Sequence, residues 1–256
     1  MKESTSIAFV GLVGIVTPIF GLSAMFASTL LCGVGCGEGT PISPPFSAWN
    51  EWESDESFSW SSNALSDLGV SQVANVYNCS LILVGILNLI FAIGFVRVYA
   101  KSALFYLGGI LLILGGGSLS LVGVFTQAYG FLHLYVSLGY FVLFPMAMIL
   151  VGLAFIRMNM QTKGYLSILA GIIALLVILS ALTLQWHTLL GLGFAVPEIV
   201  EAVVIAVWIV WMGVSLVCVA SEKRFQELKR LAVQKRVNRV RARAKTLKTM
   251  IRVTVH

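Results

Sequence analysis

Long apolar runs and short polar breaks alternate along the chain. Six runs, near 7–31, 76–96, 103–125, 131–156, 165–185 and 196–220, each exceed about 18 mostly apolar residues, the length a helix needs to cross a bilayer. The first, IAFVGLVGIVTPIFGLSAMFASTLL, is far longer than the roughly 7–15 residues of a secretory signal core, so it reads as an uncleaved helix kinked at Pro18. The expected fold is all-α. A bundle of six transmembrane helices occupies 1–220, a polar loop fills 32–75, and a basic amphipathic helix follows at 221–256.

The loop 32–75 is rich in Pro, Ser, Trp and acid. Pro41, Pro44 and Pro45 oppose helix at its start. Trp49, Trp52, Phe58 and Trp60 suit the headgroup level of a membrane, so a partly ordered cap over the helix ends is expected. The third run carries Gly108, Gly109, Gly115, Gly116, Gly117 and Gly123. Small residues let helices approach closely in lipid, which fits either packing within one chain or a homo-oligomer face.

Charge gives these segments a direction. Only 11% of residues are charged, against about a quarter in an ordinary soluble domain. In the six-span arrangement all 17 Lys and Arg fall on one side. The other side holds Glu38, Glu51, Glu53, Asp55, Glu56, Asp67, Glu198 and Glu201 and no base. By the positive-inside rule, both termini are expected in the cytoplasm, with the loop 32–75 outside the cell membrane.

Twelve of the basic residues lie in the tail 221–256. There Val233, Val237, Val240, Ala244, Leu247 and Ile251 recur at spacings of four and three, an amphipathic pattern suited to an anionic inner leaflet. A short coiled coil has the same spacing. Membrane lipid is the expected partner and nucleic acid is not. The cysteines add one constraint. Cys32 and Cys36 bracket CGVGC at the outer edge, where a disulfide is permitted, and Cys79 lies at the same level; Cys218 falls at the cytoplasmic end.

The reactive side chains are few. His133 opens the fourth run, His187 closes the fifth, Glu198 and Glu201 begin the sixth, and Asp67 precedes the second, all at the outer level. Histidines and carboxylates together can hold zinc or transfer protons, so Asp67, His133, His187 and Glu201, supported by Ser66 and Glu198, form a candidate outward-facing polar site. Each also has a plain structural reading. Asp67 suits a turn before Gly69 or the cap of a short helix, Glu198 follows the helix-starting Pro197, His187 adjoins Trp186 in the interfacial belt, and His133 can bond a nearby carbonyl. No H-E-x-x-H, nucleophile elbow or phosphate loop occurs. Asn88 is the deepest strong polar group, which counts against an ion-coupled transporter.

NALSDLGV, GGGSLSLVGVFTQAYGFLHLYVS and FVLFPMAMILVG together resemble the domain of unknown function 998 family of prokaryotic membrane proteins. The matching positions are Ser66, Asp67, Leu68, Gly69, Phe125 and His133, and the resemblance spans most of 7–220. It implies a multi-pass layout, similar to that of the DRAM and Sfk group, and points to Asp67 and His133 without implying a reaction. The expected role is binding or organising lipid or a membrane partner through the outer site. A metal-dependent lipid-headgroup hydrolase is the first alternative, and a transporter or channel the second.

Overall fold

The computed structural model describes residues 2–32, 58–184 and 189–254, with side chains described over 3–32, 58–184 and 189–238. The described residues are helical, without strands. The six long helices are α1 (Lys2–Leu31), α2 (Ala74–Tyr99), α3 (Ala103–Val124), α4 (Phe131–Arg157), α5 (Gln161–Leu184) and α6 (Ala195–Thr254). Each contains a window long and apolar enough to cross a membrane, so the six expected runs are six helices. Consecutive helices pack side by side and α6 returns against α1, closing a ring.

Their outward surfaces are apolar: Phe9, Ile110, Leu176 and Val207 are all more than half exposed. Lipid, not water, suits that surface, so attraction between the helices must come from close contact. The sequence meets this need with glycine. A Cβ on Gly11 would lie 2.7 Å from the Gly213 carbonyl, and one on Gly213 would lie 2.7 Å from the Gly11 carbonyl, so α1 and α6 touch backbone to backbone. The glycines of α3 face their own chain: Gly108 meets Val151, Gly115 meets Phe144, Gly116 meets Asn88, and Gly123 meets Asn78 and Ile82. Packing within the monomer therefore accounts for most of this glycine row.

One half of the ring is filled by rings. Phe91, Phe95, Phe105, Phe144, Phe155 and Trp208 are each at most 2% exposed. Phe95 is the hub, with centroids 5.5 Å from Phe91, 5.6 Å from Phe105, 6.0 Å from Trp208 and 6.2 Å from Phe155. The indole of Trp208 donates to Ser167 Oγ at 2.9 Å, satisfying the plug's polar N–H. Below it Lys163 donates to Tyr99 Oη at 3.2 Å and to Ser215 Oγ, with its ammonium 5.2 Å from the Tyr99 ring centroid.

Two features depart from the expected layout. Residues 65–70, assigned by sequence to a long loop, form a 3-10 helix, Leu65–Val70, that sinks into the end of the ring with Leu65 2% and Leu68 0% exposed. The basic tail is not a separate helix. It continues α6 without interruption to Thr254, 60 residues in all, or about 90 Å at 1.5 Å per residue. Nothing in that helical run marks the bend a surface-lying tail requires. The tail's start is tied to the chain's beginning by Lys223 and Glu3, 2.6 Å apart.

Candidate functional site

The 3-10 helix is the keystone of the polar end, and Asp67 and Glu198 hold it. Its amides need acceptors because a short helix leaves its first N–H groups unpaired. Asp67 Oδ2 accepts from the Ala64 amide at 2.9 Å and from Asn63 Nδ2 at 3.3 Å. Glu198 Oε2 reaches from α6 to accept from the Leu65 amide at 2.6 Å. Backbone bonds complete the weld between this segment and the start of α6: Gly193 N–H donates to the Trp60 carbonyl at 2.9 Å, and Ala195 N–H to the Asn63 carbonyl at 2.8 Å. The approach at Gly193 is so close that a Cβ there would lie 2.6 Å from the Asn63 carbonyl. Asp67 is 2% exposed and Glu198 7%, so both carboxylates act inside the protein.

His133 is placed otherwise. Its Nδ1 is 2.7 Å from the Phe125 carbonyl, which can only accept, so Nδ1 donates. Nε2 then accepts from Ser137 Oγ at 3.4 Å. Nδ1 thus ties the start of α4 to the end of α3, and Nε2 is engaged by Ser137 within α4. Sharing a membrane level was legible in the sequence, but position around the ring was not. His187 lies outside the described residues, as do Trp49, Trp52 and Cys36. Among the described residues no three His, Cys, Asp or Glu side chains gather as a metal site. Cys32 is disulfide-bonded, while Cys79 and Cys218 are free. Asn78, first residue of an Asn-Cys-Ser sequon, is partly buried, its side-chain amide donating to the Gly69 carbonyl at 2.8 Å.

The structure brings a different group together. Between the 3-10 helix and the aromatic plug lies a cavity of about 80 Å³, where one water needs roughly 10–15 Å³. Its walls are mostly apolar: Pro18, Leu22 and Met25 of α1, Val84 of α2, Leu119 of α3, Phe141 of α4 and Ile205 of α6. Its polar points are Ser66, Tyr77, Ser80, Asn88, Ser137, Tyr140 and Glu198. Glu201, three residues after Glu198 on α6, is not among the residues that line the cavity. It is 0% exposed. Tyr77 lies within reach of the charges of Glu198 and Asp67, and Tyr140 within reach of Glu201. Neither carboxylate oxygen of Glu201 has a hydrogen-bond partner, and neither does Oδ1 of Asn88.

Sequence reasoning had found Asn88, Glu198 and Glu201 but not Tyr77 and Tyr140, whose types are indistinguishable from those of an interfacial belt. Glu201 sits about 9 Å along α6 from Ala195, near the start of the helix, fully buried.

A ring of six apolar helices with a polar cavity at one end and an aromatic plug at the other defines a multi-pass membrane protein. The model of the family described as protein of unknown function DUF998 matches residues 39–215, and the chain belongs to that family. No curated protein and no solved structure matches it.

Proposed function

We propose that this protein binds an amphiphile, a molecule of the lipid class, by its head in the cavity between the 3-10 helix and the aromatic plug. The observation that carries this reading is the make-up of the cavity. Apolar walls from five helices surround a few fixed polar points, the composition expected of a small-molecule site. A pocket of this kind inside an apolar ring suits retention of a molecule that already lives in the membrane. By charge, the cavity end faces outward and the basic tail enters the cytoplasm.

A transporter is the second reading. It is favoured by Glu201, since an ionisable residue inside a span marks function by default. It requires the plug around Phe95 to open. In a hydrolase reading His133 is already engaged by Phe125 and Ser137, and His187 lies outside the described residues.

Native mass spectrometry of the protein released from mild detergent tests the proposal. The wild type should carry a bound amphiphile. Ala202→Phe, which fills the cavity wall beside Glu198, should lose it while melting within a few degrees of wild type. Equal adducts in both proteins would overturn the reading.

A further inference from the structure

The basic end of α6 carries a pattern that the bundle does not use. Residues 221–254 continue the helix past Ala220 for about 51 Å. Residues 232–238 are all exposed, Val233 at 63% and Val237 at 38%, so the described bundle leaves this stretch uncovered. We infer that residues 233–254 are a docking helix for an acidic amphipathic helix of another protein, paired with it as a coiled coil.

The spacing defines the seam. Val233, Val237, Val240, Ala244, Leu247 and Ile251 recur at spacings of four and three along a helix without a break. That places all six in one row, roughly 80° wide at 100° per residue. So narrow a row is the seam of a coiled coil, whereas a helix lying on lipid presents a broader apolar face. The junction 217–224 holds neither Gly nor Pro, so nothing there turns the helix onto the leaflet.

Charge selects the partner. Glu227 is the last acid, and ten Lys and Arg follow it. The positions beside the seam are Gln234, Arg236, Arg241, Arg243, Lys248 and Met250. In a parallel pair of this chain's own copies, Arg236 would oppose Arg241 and Arg243 would oppose Lys248; in an antiparallel pair the same basic positions oppose one another. A second copy therefore meets repulsion in either direction. Lys235, Arg239 and Arg243 also stand four apart along the chain, a spacing at which like charges weaken a lone helix. A partner helix with Asp or Glu beside its own seam relieves both repulsions and covers the apolar row. Nucleic acid would neutralise the charge and leave that row bare.

The test uses the full chain in phosphatidylcholine nanodiscs and three labelled four-heptad peptides. One has leucine in the seam and glutamate beside it. The second has the same composition with the leucines scrambled. The third has the leucine seam with lysine beside it. Fluorescence anisotropy reads the affinities. The acidic heptad peptide should bind about tenfold or more tightly than its scrambled form, and the lysine peptide should not bind. Val240→Asp puts a charge in the seam and should weaken binding about tenfold, with the melting temperature of the bundle unchanged. Equal binding of the acidic and scrambled peptides, or full affinity in Val240→Asp, would overturn the seam. If phosphatidylserine vesicles or duplex DNA bind more tightly than the acidic peptide at physiological salt, the partner is a membrane or a nucleic acid and the inference fails. In intact cells, a photo-crosslinker at 240 should capture a peptide whose apolar heptads are flanked by Asp or Glu; capture of lipid, or of this chain's own tail, would contradict it.

Discussion

Replacing Glu198 with leucine removes the acceptor that α6 offers to the 3-10 helix. In the wild type the Leu65 amide is buried and its bond to Glu198 Oε2 is 2.6 Å long. The variant leaves that amide without an acceptor, at about 1–3 kcal/mol for an unsatisfied buried donor. Taking the middle of that range, a loss of about 2 kcal/mol is expected for docking of the segment. That is about 30-fold in the opening equilibrium. Hydrogen exchange in detergent reads it directly. Amides of 64–70 should exchange about 30-fold faster while those of α3 and α4 stay unchanged. Glu198→Gln keeps an acceptor oxygen and should shift exchange much less. If 64–70 in Glu198→Leu exchanges at the wild-type rate, Glu198 does not hold the 3-10 helix and the account of the polar end is wrong.

Three further outcomes are expected. Gly85→Ala should destabilise by about 1–3 kcal/mol in thermal melts, because its Cβ would fall on the backbone nitrogen and hydroxyl of Ser120, 2.8 Å from that residue's Cα; an unchanged melt would show that α2 and α3 are less tightly apposed. A double-mutant cycle of Trp208→Phe and Ser167→Ala should give a coupling of about 0.5–1.5 kcal/mol from their 2.9 Å hydrogen bond, and additivity would remove that bond from the account. Truncation after Lys229 should leave the melting temperature of the bundle almost unchanged, since described residues 232–238 are all exposed; a large drop would mean that the tail packs on the bundle.

The six helices were legible because length and apolarity alone fix a span. Their internal packing was half legible: glycine in α3 announced close approach, but only the structure shows that Gly108, Gly115 and Gly123 meet Val151, Phe144 and Asn78 of the same chain. The polar end was legible in one dimension. Asp67, His133, Glu198 and Glu201 were placed at one membrane level from chain order, yet which of them touch depends on rotation about each helix axis, which a run of apolar residues does not record. Thus Asp67 closes its own turn through Ala64, and His133 closes another through Phe125. The 3-10 helix was missed because six residues, Leu65–Val70, carry no periodicity to detect. The tail's continuity with α6 was missed because an abrupt change from apolar to basic residues looks like a boundary, although no helix breaker lies at the junction.

The most direct test of the amphiphile-binding account is photo-crosslinking in native membranes from two positions, Ala202 on the cavity wall and Leu107, half exposed on the lipid-facing surface. A defined amphiphile captured at 202 and absent at 107 is the result the account predicts. Capture of the same lipid mixture at both positions would contradict it.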